Sequence, residues 1–233
     1  GCSEANEQIL VSERVNYHSS PALGMNVRQA LAMADKTVDE IDYFDIYSCF
    51  PAAVAIACDE LGLDRLDHRG LTVTGGLPFF GGPGNNYSMH AIVSMVEKLR
   101  EAPGTFGLIT ANGGYLTKHA SGVYSCEPYH ESWQLPDFHA LQSEVDALKY
   151  PLFTERPAGQ AMIEAYTVTF RQREPDRAII VGRLAESDER FLANSMADPE
   201  LLRSFIDHDQ VGRLGMVRLA DETGGDTNVF VPQ

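Results

Sequence analysis

The chain has 233 residues, more than a typical single domain of roughly 100–200, and is read as two modest domains. Apolar residues make up 44% and charged residues 22%, a balance that excludes a disordered chain. Acidic residues outnumber basic ones 33 to 18, giving a formal charge of −15, and no Lys/Arg cluster exceeds a pair, which argues against a nucleic acid partner.

In chain order, Val27, Ala30, Leu31 and Ala34 stand at helical spacing and predict a helix over Asn26–Ala34. Thr37 with Glu40 forms a capping box opening a short turn. Ile41–Phe50 has a strand-like core, and Pro51 stands where the first turn of a helix tolerates it, so a helix is expected from Ala52 to Leu61, stopping at Gly62. Leu71–Val73 is expected as a short strand entering the glycine-rich loop Gly75–Gly84, with a helix over Ser88–Glu101. Thr105–Ala111 predicts a buried strand broken at Asn112, Gly113 and Gly114, with a partner strand over Gly122–Ser125. The fold class is therefore α/β, a mixed sheet covered by helices.

From Cys126 to Pro157 the texture changes to Pro, Trp, Tyr and charge, with one weak helical stretch near Leu141–Leu148, and this segment is expected to be a linker. Beyond it come β-rich runs at Ala165–Gln172, Arg177–Leu184, Val211–Leu219 and Asn228–Val231, with a separator at Glu174-Pro175-Asp176 and a turn at Gly224-Gly225. Asp198 and Pro199 are an N-cap and first-turn pair for a helix to Ile206. A small barrel or sandwich, OB-like in shape, is expected there. The domains are thus 1–125, a linker 126–157, and a β-rich domain 158–233.

Four cysteines are widely spaced with no C-x-x-C pair, which fits a reducing cytoplasm, and Cys49, Cys58 and Cys126 are expected to be structural. No apolar run approaches the ~20 residues of a membrane span. Gly1–Gln8 lacks the layout of a signal peptide, and Gly1 is read as an added residue, a cleavage product or the start of a fragment. The seven histidines lack the close pairing of a zinc site, so no metal is expected. Acidity does not exclude an anionic ligand, because helix starts and a few cations can hold phosphates.

Three segments, DIYSCF at Asp45–Phe50, GGLPFFGGPGNNYSMH at Gly75–His90 and GLITANGG at Gly107–Gly114, resemble in order and spacing the C-terminal half of the thiolase superfamily. The first is similar to the H-D-C-F of the sterol-carrier-protein branch, with Tyr47 at the polar position. The second resembles the family's G-G-x-x-x-x-G-H-P loop, with Gly82 in place of the activating histidine. The third resembles the loop carrying the second, acid/base cysteine, with Asn112 there instead. VGRLGMVRL before GGDTNVFV resembles the additional C-terminal domain of type 1 thiolase-like proteins.

The resemblance implies acyl-CoA chemistry of the acetyl-CoA acetyltransferase kind, within lipid metabolism. A coenzyme A thioester would be substrate or ligand, with no permanently bound cofactor. The family's acylated cysteine belongs to an N-terminal half that this chain lacks, so the chain alone is expected to be inactive. Its partners would be that half, in the same or another chain, and further copies of itself. The candidate catalytic residues are Tyr47, Asn112 and His119, the last as a proton shuttle. Gly76, Gly82, Asn85, Asn86 and Gly113 are the candidate substrate-binding residues. An alternative is a catalytically degenerate acyl-CoA-binding or scaffold protein, because Gly82 and Asn112 carry no proton. Arg171, Arg173, Arg177 and Arg183 form either a basic face or ordinary solvent-facing positions.

Overall fold

The computed structural model describes residues 1–130, 134–219 and 227–233, which divide into two compact units. One comprises Gly1–Ile9 and His18–Leu148, the other Leu10–Tyr17 and Lys149–Gln233.

The first unit contains strand β1 (Cys2–Asn6), helix α1 (Pro21–Met33), β2 (Tyr43–Asp45), α2 (Pro51–Leu61), the short α3 (Leu77–Phe80), α4 (Tyr87–Glu101), β3 (Phe106–Gly113), β4 (Lys118–Ser125) and α5 (Phe138–Asp146). The strands form one mixed sheet in the order β1-β4-β3-β2, with β2 parallel to β3 and the other pairs antiparallel. Strand alternation sends Phe44, Leu108 and Val123 to one face, where they pack with Val27 and Leu31 of α1 and Ala57 and Leu61 of α2. Tyr43, Ile109 and Tyr124 go to the other face, against Ala91, Met95 and Leu99 of α4. Both faces of the sheet are thus covered, as an α/β layer requires.

Local signals explain the sharpest boundaries. Pro51 occupies the first turn of α2, and Gly62 ends it at φ +68°, a left-handed conformation glycine adopts without penalty. The Thr37–Glu40 capping box forms as expected. Helix α1 starts earlier than the expected Asn26, because Pro21 begins the helix.

The strand expected over Ile41–Phe50 shortens to Tyr43–Asp45, and Leu71–Val73 is not a strand. The backbone N–H groups of Val73 and Thr74 instead donate to the Asp45 carboxylate, both at 3.1 Å. Strand β3 continues through Asn112 to Gly113 rather than breaking there, and β4 begins at Lys118, which places His119 inside the sheet opposite Asn112. Segment 126–157 supplies α5, whose Leu141 and Val145 bury with Ala5 and Ala22 of the first unit.

The second unit is a closed barrel of β5 (Gly159–Arg171), β6 (Glu174–Leu184), β7 (Arg190–Ser195), β8 (Leu214–Leu219) and β9 (Asn228–Pro232), in the order β5-β6-β7-β9-β8, with α6 (Pro199–Asp207) between β7 and β8. Closure removes the unpaired strand edges. Asp198 caps α6 by accepting from Leu201 N at 2.8 Å. The β5–β6 turn falls on Gln172 and Arg173, at φ +53° and +73°, so the expected separator Glu174-Pro175-Asp176 belongs to β6. Pro175 is accommodated at an irregularity in the register with Phe170. The turn expected at Gly224-Gly225 lies outside the described residues.

Arg190 is fully buried in this unit. Its Nε donates to Glu164 at 2.8 Å, its Nη1 to Ser12 O at 2.8 Å, and it stacks over the Tyr17 ring at 4.9 Å. The segment Leu10–Tyr17 is thereby fastened to the barrel. Of the arginines read as a basic face, Arg183 pairs with Glu164 and Asp188, and Arg177 with Asp176, so their charge is locally matched.

Candidate functional site

The site grows from Asp45, a carboxylate buried at the end of β2. Besides Val73 N and Thr74 N, its Oδ2 accepts from Thr74 Oγ1 at 2.9 Å, and its Oδ1 accepts from the Tyr87 hydroxyl at 2.9 Å. The two hydroxyls also lie 2.6 Å apart, and this network satisfies the buried carboxylate and ties the entry of the glycine loop to the first residue of α4. Burial pushes the Tyr87 hydroxyl up to about 12, so it stays a donor.

Ser48 Oγ accepts from Leu77 N at 3.0 Å and so holds the start of α3. Gly76 stands at φ +83°, and a Cβ there would lie 2.7 Å from Ser48 Oγ, so both conformation and space require glycine. The Y-S-C-F tetrad and the glycine loop are thus one structure.

Tyr47 N donates to Thr110 Oγ1 at 3.0 Å, and its ring meets Tyr87 edge-on with centroids 5.4 Å apart. Burial, and secondarily the neighbouring Cys49, raise the Tyr47 hydroxyl above its ordinary value, which makes it a hydrogen-bond donor rather than a base. Asn112 Nδ2 donates to Cys49 Sγ at 3.5 Å, while its Oδ1 is buried with no hydrogen-bond partner among the described residues. Turning the amide over only exchanges which of its two polar atoms is left unmatched. His119 is 3% exposed, with Nε2 at 3.1 Å from Leu116 O and 3.0 Å from Ser20 Oγ.

A cavity of about 310 Å³ is lined by Tyr47, Asn85, Asn112, Gly113, Lys118 and His119, among others. Five of the eight sequence candidates therefore meet in one place. The other three do not line it. Gly76 sits behind Ser48, and Asn86 lies with Nδ2 at 3.3 Å from His90 Nε2. Gly82 is exposed, with nothing within 4 Å of a Cβ built on it, so sterics do not exclude a side chain there. A larger cavity of about 460 Å³ lies by Lys36, Phe106 and Tyr124, at the opposite ends of β3 and β4, and gathers none of the candidates.

Asp45, Glu7 and Ser20 were not singled out from sequence. Asp45 opens the D-I-Y-S-C-F segment, and Ser20 before Pro21 carries the N-cap signal that marks a helix start. Cys58 is buried as expected of a structural cysteine, whereas Cys126 is exposed and packing does not account for it. Among the described residues no group of three His, Cys, Asp or Glu could hold a metal ion, and no helix is long and apolar enough to cross a membrane.

The family described as the thiolase-like protein type 1 additional C-terminal domain matches residues 140–223. The crystal structure of a monomeric SCP2-thiolase like protein type 1 from Mycobacterium smegmatis is 40% identical, superposes with a TM-score of 0.88, and aligns over 99% of this chain and 49% of its own. The dimeric peroxisomal thiolase of Saccharomyces cerevisiae is 18% identical over 52% of this chain and 28% of its own, with a TM-score of 0.35, too low to carry an argument. A comparison with curated proteins finds no match. The covered mixed sheet and the barrel define a thiolase-type α/β layer with an appended β domain. The chain belongs to the thiolase-like superfamily, and it spans about half the length of the Mycobacterium smegmatis protein, 49%.

Proposed function

We propose that the chain is the C-terminal part of a thiolase-like acyl-CoA acyltransferase, whose acylated cysteine comes from an N-terminal half in the same or another polypeptide. The observation that carries this reading is the meeting of Tyr47, Asn112 and His119 in one cavity at the strand ends, where α/β sheets collect ligands. The unmatched amide atom of Asn112 invites a polar ligand group. The Tyr47 hydroxyl, Lys118 and Asn85 are donors suited to a thioester oxygen as negative charge develops. His119 supplies the imidazole among these groups, the usual proton shuttle near neutral pH. Coenzyme A thioesters act as substrate, with no resident cofactor.

A second reading, an acyl-CoA-binding protein without turnover, draws on Gly82 and Asn112, which leave both family acid/base positions without a proton carrier. The two separate in the complete protein by following thiolysis of acetoacetyl-CoA together with calorimetric binding of acetyl-CoA. Turnover abolished by His119→Gln supports the enzyme, binding without turnover supports the binder, and neither signal removes both. The 233-residue chain alone is expected to show no thiolysis.

Helix α2 buries Ala53 and Ala57 within its own unit, while α4 leaves Met89 and Val93 56% and 51% exposed. The N-terminal half is the proposed cover for α4, a preference over a second copy that the relative described as monomeric supports. Light scattering of the complete protein checks it: a monomer is expected, and a dimer transfers the cover to a second copy.

A further inference from the structure

Helix α1 is capped by an unexpected residue. Its N-cap, Ser20, makes no side-chain capping bond, although serine there ordinarily accepts from a backbone N–H two or three residues on. Glu7 makes that bond instead, its Oε1 accepting from Ala22 N at 2.9 Å, while Glu60 Oε1 accepts from Ser20 N at 2.8 Å. The Ser20 hydroxyl is thereby released. It sits between Glu7 Oε1 at 3.2 Å and His119 Nε2 at 3.0 Å. Glu7, Ser20 and His119 are 6%, 1% and 3% exposed. Burying a carboxylate to do what a serine does unaided is the costlier way to start a helix. Capping alone does not explain it.

The directions of the hydrogen bonds follow from the partners. Leu116 O, at 3.1 Å from His119 Nε2, can only accept, so Nε2 carries a hydrogen. At the other end Glu7 Oε1, which already accepts from Ala22 N, takes the Ser20 proton as well, which leaves Ser20 Oγ to accept from Nε2. Both ends require the same orientation. Nε2 therefore keeps its hydrogen whether the ring is neutral or charged, and Nδ1 is the nitrogen that gains and loses a proton.

We propose that Glu7 and Ser20 are positioning residues that hold His119 as the Nε2–H tautomer, making Nδ1 its proton-exchanging atom. The use of that atom in acyl-CoA chemistry rests on the function proposed above; the tautomer does not. A ring held by one nitrogen against a fixed hydroxyl and a backbone carbonyl presents the other in one orientation, the arrangement that general acid–base catalysis needs.

The test is a long-range ¹H–¹⁵N correlation spectrum of the full chain labelled with ¹⁵N-histidine, near neutral pH, with the His119 signals assigned by their loss in His119→Gln. A single Nε2–H pattern is expected in the unaltered chain. Ser20→Ala and Glu7→Gln are each expected to raise the Nδ1–H form from undetectable to a population comparable with the other tautomer, and Ser20→Thr to restore the original pattern. An Nδ1–H pattern in the unaltered chain, or an unchanged pattern in Ser20→Ala, overturns the proposal. Should Glu7→Gln not fold, Ser20→Ala, which removes one hydroxyl, decides the matter with the unaltered spectrum. Absence of acetoacetyl-CoA turnover in a complete protein that keeps the Nε2–H pattern removes the acyl-CoA reading and leaves the positioning role supported.

Discussion

In the barrel, Arg190 is buried and its contacts close around it: Glu164 supplies the counter-charge, carbonyls of Ser12 and Arg14 take further donors, and Tyr17 covers its face. In the first unit, the buried carboxylate of Glu7 reaches through Ser20 to His119, which lines a cavity, and Asn112 opposite keeps an unmatched amide atom. Both regions place charge where water is scarce. A network whose members satisfy one another fastens a segment in place, whereas at the cavity wall the Asn112 amide keeps a polar atom for a ligand.

The comparison is broken most severely in the barrel. Glu164→Gln removes the counter-charge of a fully buried guanidinium and is expected to cost about 3–5 kcal/mol in urea unfolding. Glu164→Leu combined with Arg190→Met, which removes both charges together, is expected to recover most of that loss. A cost below about 1 kcal/mol for the single variant would mark the pair as equivalent to an exposed ion pair.

Asp45→Ala comes next. It orphans the backbone N–H groups of Val73 and Thr74 and is expected to cost about 1–3 kcal/mol, loosening the glycine loop along with the fold. Denaturant melts with near-ultraviolet circular dichroism of Tyr87 and Tyr47 would register both effects. An unshifted midpoint would show that Asp45 anchors nothing.

Acid sharpens the same contrast. Burial raises Glu164, but hydrogen bonds and charge from Arg190 and Arg183 outweigh it and hold the carboxyl below its ordinary range. A depressed folded value contributes stability that is complete above the unfolded value of about 4.3 and is lost as pH falls through the folded one. The barrel is therefore expected to weaken below about pH 4, and Glu164→Gln to flatten that part of the stability profile. Equal slopes in the two proteins would locate the acid sensitivity elsewhere.

The smallest effect on stability is expected at Asn112. Its side chain makes one long bond to sulfur and leaves a buried oxygen unmatched, so Asn112→Ala is expected to change stability by less than about 1 kcal/mol. Acetyl-CoA affinity of the complete protein is expected to fall in the same variant. A large destabilisation with unaltered binding would assign Asn112 to the scaffold, alongside Arg190.

Where a feature depends on neighbours in the chain, it was legible. Pro51 and Gly62 bracket α2, Asp198 and Pro199 open α6, and Thr37 with Glu40 closes its capping box, because each is completed within a turn or so of backbone. The thiolase-like segments also singled out Tyr47 and Asn112, which lie just past β2 and near the end of β3. Gln172 and Arg173 escaped notice because neither residue advertises a positive φ, and the Pro nearby was the stronger local sign of a turn.

Amino-acid order by itself determined the boundaries of α2, α4 and α6 and the succession of an α/β unit and a β-rich one. Tertiary structure alone decided that polar β1 is a strand, since Cys2–Asn6 pairs with Lys118–Gly122 more than a hundred residues away. It decided too that Val73 bonds to a buried carboxylate instead of a ladder, and that Ser20 serves His119, 99 positions on, instead of its own helix. Capping and periodicity act over a few residues, but a hydrogen-bond partner across the sheet exists only once the strands have met.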